Sequence, residues 1–289
     1  MMSTAPAVQA NARFFPYERW ESRLPALARQ YRENHPCPHI LLQNFLEPEI
    51  ALEMARQFPQ ATSDAWTQYK HANENKLGMP KREVFPATIR AVTDELNSPE
   101  FVAWVSELTG IPNLQADPML EGGGLHQSGP GGYLNVHTDF SMHHFHMHWH
   151  RRVNLILYLN PGWQEEWGGA LELWEKKMAR CGAKYPPLLN HALIFTTDER
   201  SLHGFPDPLT CPEGQSRKSL ALYYYTVEQD RKVTVHSTDY FARPQDGWGK
   251  SAMIWLDKKA VDLYSRAKAR FGFTDEFASK VLGFLSKRK

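Results

Sequence analysis

The chain has 289 residues, of which 42% are hydrophobic and 22% charged, a globular composition rather than a disordered one. Lys and Arg number 33 against 32 Asp and Glu, so the net charge is +1, which argues against a partner held by bulk electrostatics such as nucleic acid. Three scattered cysteines (Cys37, Cys181, Cys211) make neither a disulfide framework nor a cysteine-based zinc module, and no run of 18 apolar residues exists to span a membrane.

The first twelve residues are small and polar and lack the basic and apolar regions of a secretory signal, so a cytoplasmic protein is expected. Trp20, Leu24, Leu27 and Tyr31 share one face of a helix predicted from Tyr17 to Glu33, which His35-Pro36-Cys37-Pro38 ends. A strand is expected over His39–Phe45. A helix follows over Glu47–Phe58, with Leu52, Met54 and Ala55 inward. Residues 60–84 read as a polar, irregular loop carrying Trp66 and Tyr69; its segment Trp66–Lys76 serves either as a substrate lid or as an ordinary surface loop. Helices follow over Pro86–Leu96 and Ser98–Leu108, the second opened by an N-cap serine with proline behind it.

From about residue 115 the pattern changes to short apolar runs between glycines and prolines, the signature of an all-β sandwich or barrel of six to eight strands. The runs are Met119-Leu120, Gly132–His137, Val153–Leu159, Ala170–Trp174, Ala192–Thr196, Leu220–Val227 and Val233–His236. Helices return over Ala252–Ala269 and Thr274–Leu285, ending in the basic Lys287-Arg288-Lys289, a solvated helix end that complements the dipole. One domain is expected overall: a helical flank over 1–114, a β-core over 115–240, and packed helices over 241–289.

Thirteen histidines stand out, seven of them between positions 126 and 150. His137 and Asp139 lie two apart at a strand end, so both side chains share a face, with bases roughly 7 Å apart. His203, beyond the strand Ala192–Thr196, is the candidate third ligand from a neighbouring strand. Two imidazoles and one carboxylate leave about three positions of an octahedral metal open, as non-haem Fe(II) oxygenases require. Fourteen residues on, Arg217 opens a strong strand. A guanidinium grips a carboxylate with two parallel hydrogen bonds, and the dicarboxylate 2-oxoglutarate offers one end to iron and one to such a group. Ser219 shares the face of Arg217, and Lys218 points the other way.

On these residues the segment from about 117 to 228 resembles the 2-oxoglutarate/Fe(II)-dependent dioxygenases, and within them the prolyl 4-hydroxylase type. The ordered set carries the resemblance: His137-Thr138-Asp139, the strand Asn154–Asn160, Trp167-Gly168-Gly169-Ala170-Leu171-Glu172-Leu173, then His203 and Arg217. The resemblance implies a mainly β core with flanking helices, in the form of a double-stranded β-helix (jelly roll, cupin-like). It implies Fe(II) on His137, Asp139 and His203, with 2-oxoglutarate on Arg217. Tyr158 matches a tyrosine that contacts the co-substrate, and Ser219 matches an Arg-x-Ser pattern of another branch. Lys218 is a rival to Arg217, and the presence of Asp139 disfavours halogenation. The implied reaction hydroxylates an unactivated C–H bond with release of succinate and CO2, with ascorbate as a supporting reductant. The substrate is a protein side chain or a small metabolite or sugar acid; the extra helices shape the pocket or a homodimer face.

A non-catalytic metal-binding jelly roll and a zinc protein using the histidine run are the rival readings. His144, His146, His148 and His150 alternate at strand period, but a loop or edge strand at the barrel mouth explains them more simply than a second metal site. His126 can face the pocket without an assigned role. Cys181 and Cys211 are expected to stay reduced, and Trp163, Trp167 and Trp174 to be packing and rim residues.

Overall fold

Prolines and caps decide where the helices begin. A computed structural model describes residues 13–143, 145–146, 148–198, 200–228, 238–257 and 259. The single helix expected over Tyr17–Glu33 is two, α1 (Tyr17–Glu21) and α2 (Leu24–Glu33). Pro25 is the cause, because it lacks a backbone donor and fits only the first turn of a helix. β1 (His39–Gln43) and α3 (Pro48–Gln57) follow. Ala51 and Met54, three apart, form the buried stripe of α3, whereas Leu52 is 44% exposed, correcting its inward placement. At 100° from one and 200° from the other it cannot share their face.

The loop expected over 60–84 contains a hairpin, in which β2 (Thr67–His71) pairs antiparallel with β3 (Glu74–Met79). Its residues hid it: β2 is a polar edge strand, and β3 carries Glu74, Asn75 and Lys76. α4 (Ala87–Leu96) and α5 (Pro99–Thr109) lie where the sequence places them, and the Ser98 hydroxyl accepts the Phe101 N–H at 3.2 Å as the predicted N-cap.

The remaining strands are β4 (Gln115–Ala116), β5 (Gly124–Ser128), β6 (Tyr133–Thr138), β7 (Trp149–Tyr158), β8 (Leu171–Trp174), β9 (Cys181–Tyr185), β10 (His191–Thr196), β11 (Leu202–Phe205), β12 (Arg217–Val227) and β13 (Asp239–Tyr240). Met119-Leu120, expected as a strand, lies in a turn with Leu120 at φ 51°. The run Val233–His236 lies outside the described residues. β5 and β9 escaped the sequence reading because they are short and rich in glycine or polar residues, while β11 is the neighbouring strand expected to carry His203.

The main path of the sheet runs β1-β10-β7-β12-β5-β3-β6-β11-β8-β9, with every pairing antiparallel. It curls into a nearly closed, barrel-like jelly roll, the expected fold class. The helical flank and the strands share one core: Trp20, Tyr31, Ile89, Phe101 and Trp104 pack with Leu155, Leu157, Leu220 and Leu222. Those odd positions of β7 and even positions of β12 face the helices. The alternate positions, including Asn154 and Ile156 on β7 and Arg217 and Ser219 on β12, border an internal cavity. Strands covered on both faces explain the nearly continuous apolar run Val153–Leu159.

Two compact units divide the chain at residues 1–244 and 245–289. In the second, residues 248–257 are helical; the rest of the C-terminal helices expected over Ala252–Leu285, and the tail Lys287–Lys289, lie outside the described residues. No helix among the described residues is long and apolar enough to cross a membrane.

Candidate active site

β6 and β11 are antiparallel neighbours with His137 directly opposite His203, and their ring centroids are 4.4 Å apart. Asp139 stands just past the end of β6, two residues from His137, so its carboxylate meets both rings. His137 Nε2 is 3.5 Å from Asp139 Oδ1, and His203 Nε2 is 3.4 Å from Asp139 Oδ2. Among the described residues these three form the one group that can hold a metal ion, with ligand atoms all within 4.8 Å of one another.

The donor set fits a divalent cation. Each imidazole donates Nδ1–H to a backbone carbonyl, His137 to Asn135 at 2.9 Å and His203 to Ser201 at 2.9 Å. Those bonds fix the tautomer and leave both Nε2 lone pairs pointing inward. Burial pushes His203 down to about 4 against the pull of Asp139, so the ring is neutral and ready to ligate at physiological pH. Burial alone would raise the Asp139 carboxyl, but its charged and hydrogen-bonding neighbours, the Arg151 guanidinium foremost, together outweigh burial and hold the group well below the usual carboxylate range.

The three ligands border a cavity of about 190 Å³. Arg217 enters the same cavity from β12. Its Nε donates to the Gly169 carbonyl at 2.7 Å, Nη2 reaches the Tyr158 hydroxyl at 3.4 Å, and the guanidinium carbon sits 4.2 Å from the Phe205 ring centroid. Gly169 makes room for it: at φ +74°, a Cβ here would lie 3.0 Å from Arg217 Cδ and 2.7 Å from Leu209. Arg217 is 5% exposed, and no carboxylate among the described residues pairs with it. A buried guanidinium without an anion is costly, so this wall calls for an anionic ligand. Ser219, also buried, borders the cavity two positions on. Tyr158 stands behind Arg217 and touches its Nη2 rather than bordering the cavity. Lys218 points outward, with Nζ 5.8 Å from the Phe58 ring centroid, which removes it as a rival in this cavity.

Arg151 and Asn154 both bond Asp139, a contact that the sequence did not show. Arg151 is fully enclosed and bonds Asp139 Oδ2 at 3.1 Å, while Asn154 donates to the same oxygen at 2.8 Å. An arginine beside a second arginine at a strand start, and an asparagine inside an apolar run, give little warning; only the burial of a polar residue at 154 was a signal. The hairpin adds Tyr69, Glu74 and Lys76 to the wall. His126 borders it too, and burial together with Lys76 pushes its imidazole down to about 3.

The histidine run does not form a strand with four imidazoles on one face. His150 lies on β7, while His143 precedes it in a loop and is buried between Asp117 (3.3 Å) and Glu121 (3.1 Å). His146 stacks on Trp149 at 4.5 Å, and His144 lies outside the described residues. Cys37, Cys181 and Cys211 are unpaired thiols. Trp163 and Trp167 pack edge to face beside Leu209 and Cys211, as expected of packing residues.

Residues 123–225 match the family model described as the 2OG-Fe(II) oxygenase superfamily. No curated protein sequence matches the chain. Among solved structures, a Pseudomonas putida prolyl-4-hydroxylase aligns with TM-score 0.52 and 15% identity over 71% of this chain and 99% of its own. A Trichoplax adhaerens prolyl hydroxylase, in complex with a hypoxia inducible factor oxygen degradation domain peptide fragment, aligns with TM-score 0.53 and 18% identity over 74% and 94%. Prolyl 4-hydroxylase from Phytophthora capsici gives 0.51 and 20% over 76% and 69%. At these identities the likeness is one of fold.

Proposed function

We propose that this chain, whose residues 123–225 match the 2OG-Fe(II) oxygenase superfamily model, is a hydroxylase that uses Fe(II), 2-oxoglutarate and dioxygen. The balanced reaction converts substrate R–H, 2-oxoglutarate and O2 to R–OH, succinate and CO2. One observation carries the reading: a buried two-histidine, one-carboxylate cluster borders one cavity with a buried arginine that no carboxylate among the described residues pairs with. A co-substrate with two carboxylates answers both features.

In this reading His137, Asp139 and His203 hold the iron, and Arg217 pairs with the far carboxylate of 2-oxoglutarate. Bound there, iron supplies the redox chemistry of dioxygen that no side chain can supply. The chain does the rest. Asn135 and Ser201 aim the two Nε2 atoms through their carbonyls. Gly169 and Tyr158 hold the guanidinium in place, so little order is lost when the co-substrate docks. Ser219 offers a hydroxyl beside it. Tyr158 thus acts through Arg217 more than by direct contact. Phe205 and Leu171 line the cavity with apolar surface and limit water.

Tyr69, Phe140, Tyr223 and Tyr240 line the same cavity with aromatic surface and leave Arg151 buried behind Phe140 and Tyr223. We read the substrate as an uncharged or weakly polar group, on a protein side chain or a small molecule, entering against these rings. The unpaired thiols, with Cys181 exposed, support a reducing, cytoplasmic setting.

The test is succinate formation from 2-oxoglutarate with Fe(II) and ascorbate, followed by a panel of peptides and metabolites scored for stimulation. Slow uncoupled succinate release that vanishes in Asp139→Ala supports the reading. Absence of succinate in every condition, with zinc retained through purification, would favour a metal-binding protein without catalysis.

A further inference from the structure

Asp139 is held from behind. Its Oδ2 accepts Arg151 Nη2 at 3.1 Å and Asn154 Nδ2 at 2.8 Å, and Arg151 Nε in turn donates to Asn154 Oδ1 at 2.8 Å. The three side chains close a ring of hydrogen bonds. Arg151 cannot swing away from it: its guanidinium carbon lies 3.3 Å from the Tyr223 ring centroid and 4.7 Å from that of Phe140, so aromatic rings cover it. Tyr223 is fixed in turn, since its hydroxyl donates to the Gly122 carbonyl at 2.8 Å and its backbone pairs with Asn154 across β7 and β12.

The two oxygens of Asp139 are therefore unequal. Oδ2 is taken by two donors from the protein. Oδ1 faces His137 Nε2 at 3.5 Å, and that nitrogen offers a lone pair because its Nδ1 carries the proton. Oδ2 also faces His203 Nε2 at 3.4 Å, so the clamp fixes the whole carboxylate against both imidazoles.

We propose that Arg151 and Asn154 are positioning residues that hold the Asp139 carboxylate in place between His137 and His203 as a metal ligand. This rests on the metal-site reading above. The Nε and Nη2 donors of Arg151 are committed to Asn154 and Asp139, although the side chain borders the cavity. Outer partners of this kind typically contribute 10- to 100-fold in metal affinity.

The charge of Arg151 complicates a simple deletion, since a cation near a divalent ion also repels it. Two variants remove the geometry without changing the charge. Asn154→Leu removes the neutral clamp, and Arg151→Lys keeps the charge but loses the planar fork. Mn(II) affinity of the full chain is measured by electron paramagnetic resonance of free Mn(II), alongside the melting temperature without metal. We expect Kd to rise 10- to 100-fold in each variant, with melting still cooperative. A wild-type Kd in either cooperatively folded variant overturns the proposal. Should Asn154→Leu fail to fold, Asn154→Ser and Arg151→Lys carry the test on the same criterion. Wild-type protein that binds Mn(II) no tighter than Asp139→Ala would instead overturn the metal-site reading itself.

Discussion

Replacing Arg217 is the sharpest probe of the co-substrate site. The guanidinium is already ordered: Gly169 and Tyr158 hold it, Phe205 lies against it, and no carboxylate among the described residues neutralises it. A hydrogen bond to a charged group contributes about 1.5–3 kcal/mol. At about 1.4 kcal/mol per decade, Arg217→Ala should raise the apparent KM for 2-oxoglutarate by about 10- to 100-fold. Arg217→Lys should recover little, because an ammonium cannot bond Gly169 and a carboxylate in one plane as the fork does. Lys218→Ala, on the outer face against Phe58, is the control and should leave KM unchanged. The assay is uncoupled succinate formation across a 2-oxoglutarate titration, which needs no prime substrate. An unchanged KM in Arg217→Ala, or a larger shift in Lys218→Ala, would refute the reasoning.

Gly169→Ala should mimic part of that loss, since its Cβ would press on Arg217 Cδ at a left-handed backbone position; a KM for 2-oxoglutarate equal to wild type would show that the arginine has slack. Glu74 is buried, which alone would raise its carboxyl, but His71 and Lys76 outweigh burial and bring it down to about 2 from 4.5. Its folded value lies below its unfolded one, so it stabilises the fold fully above about pH 4.5, and that contribution drains away as pH falls toward 2. Urea melts of wild type and Glu74→Gln should therefore differ most at neutral pH and converge in acid; a constant gap would contradict the ion-pair assignment. Phe101→Ala should cost about 3–5 kcal/mol in urea unfolding, because the ring is fully buried between Phe15, Trp104 and Tyr224 where the core cannot collapse.

Strand period and ligand chemistry made the cluster legible in the sequence. His137 and Asp139 share a face because a strand alternates, and that holds before any tertiary contact is known. What was hidden is pairing. Nothing in the sequence says that His203 lies directly opposite His137, because β11 is only four residues long and its register is set by β6 and β8 on either side. The hairpin β2–β3 was hidden for the opposite reason. Its strands are polar, so alternation carries no apolar signal, yet β3 bridges β5 and β6 and places Lys76 and Glu74 on the cavity wall. The dense histidine run follows the simpler of its two readings, since it lies mostly in a loop where His143 meets Asp117 and Glu121.

Arg151 and Arg217 show most clearly where sequence reasoning stops. Both open or nearly open a strand, both are almost fully buried, and both enter the same cavity. Their partners differ. Arg151 meets Asp139 and sits between two rings, so its charge is answered within the protein. Arg217 meets a carbonyl and a phenol, which accept its protons without cancelling its charge. Burial lowers the guanidinium's proton affinity at both sites; at Arg217 that penalty stands, whereas at Arg151 Asp139, with Tyr223 and Tyr225, outweighs it. A buried ion pair is a finished structure; a buried lone cation is half of one. The same residue type thus positions a metal ligand on β7 and receives a ligand anion on β12, and only the surrounding charges decide which.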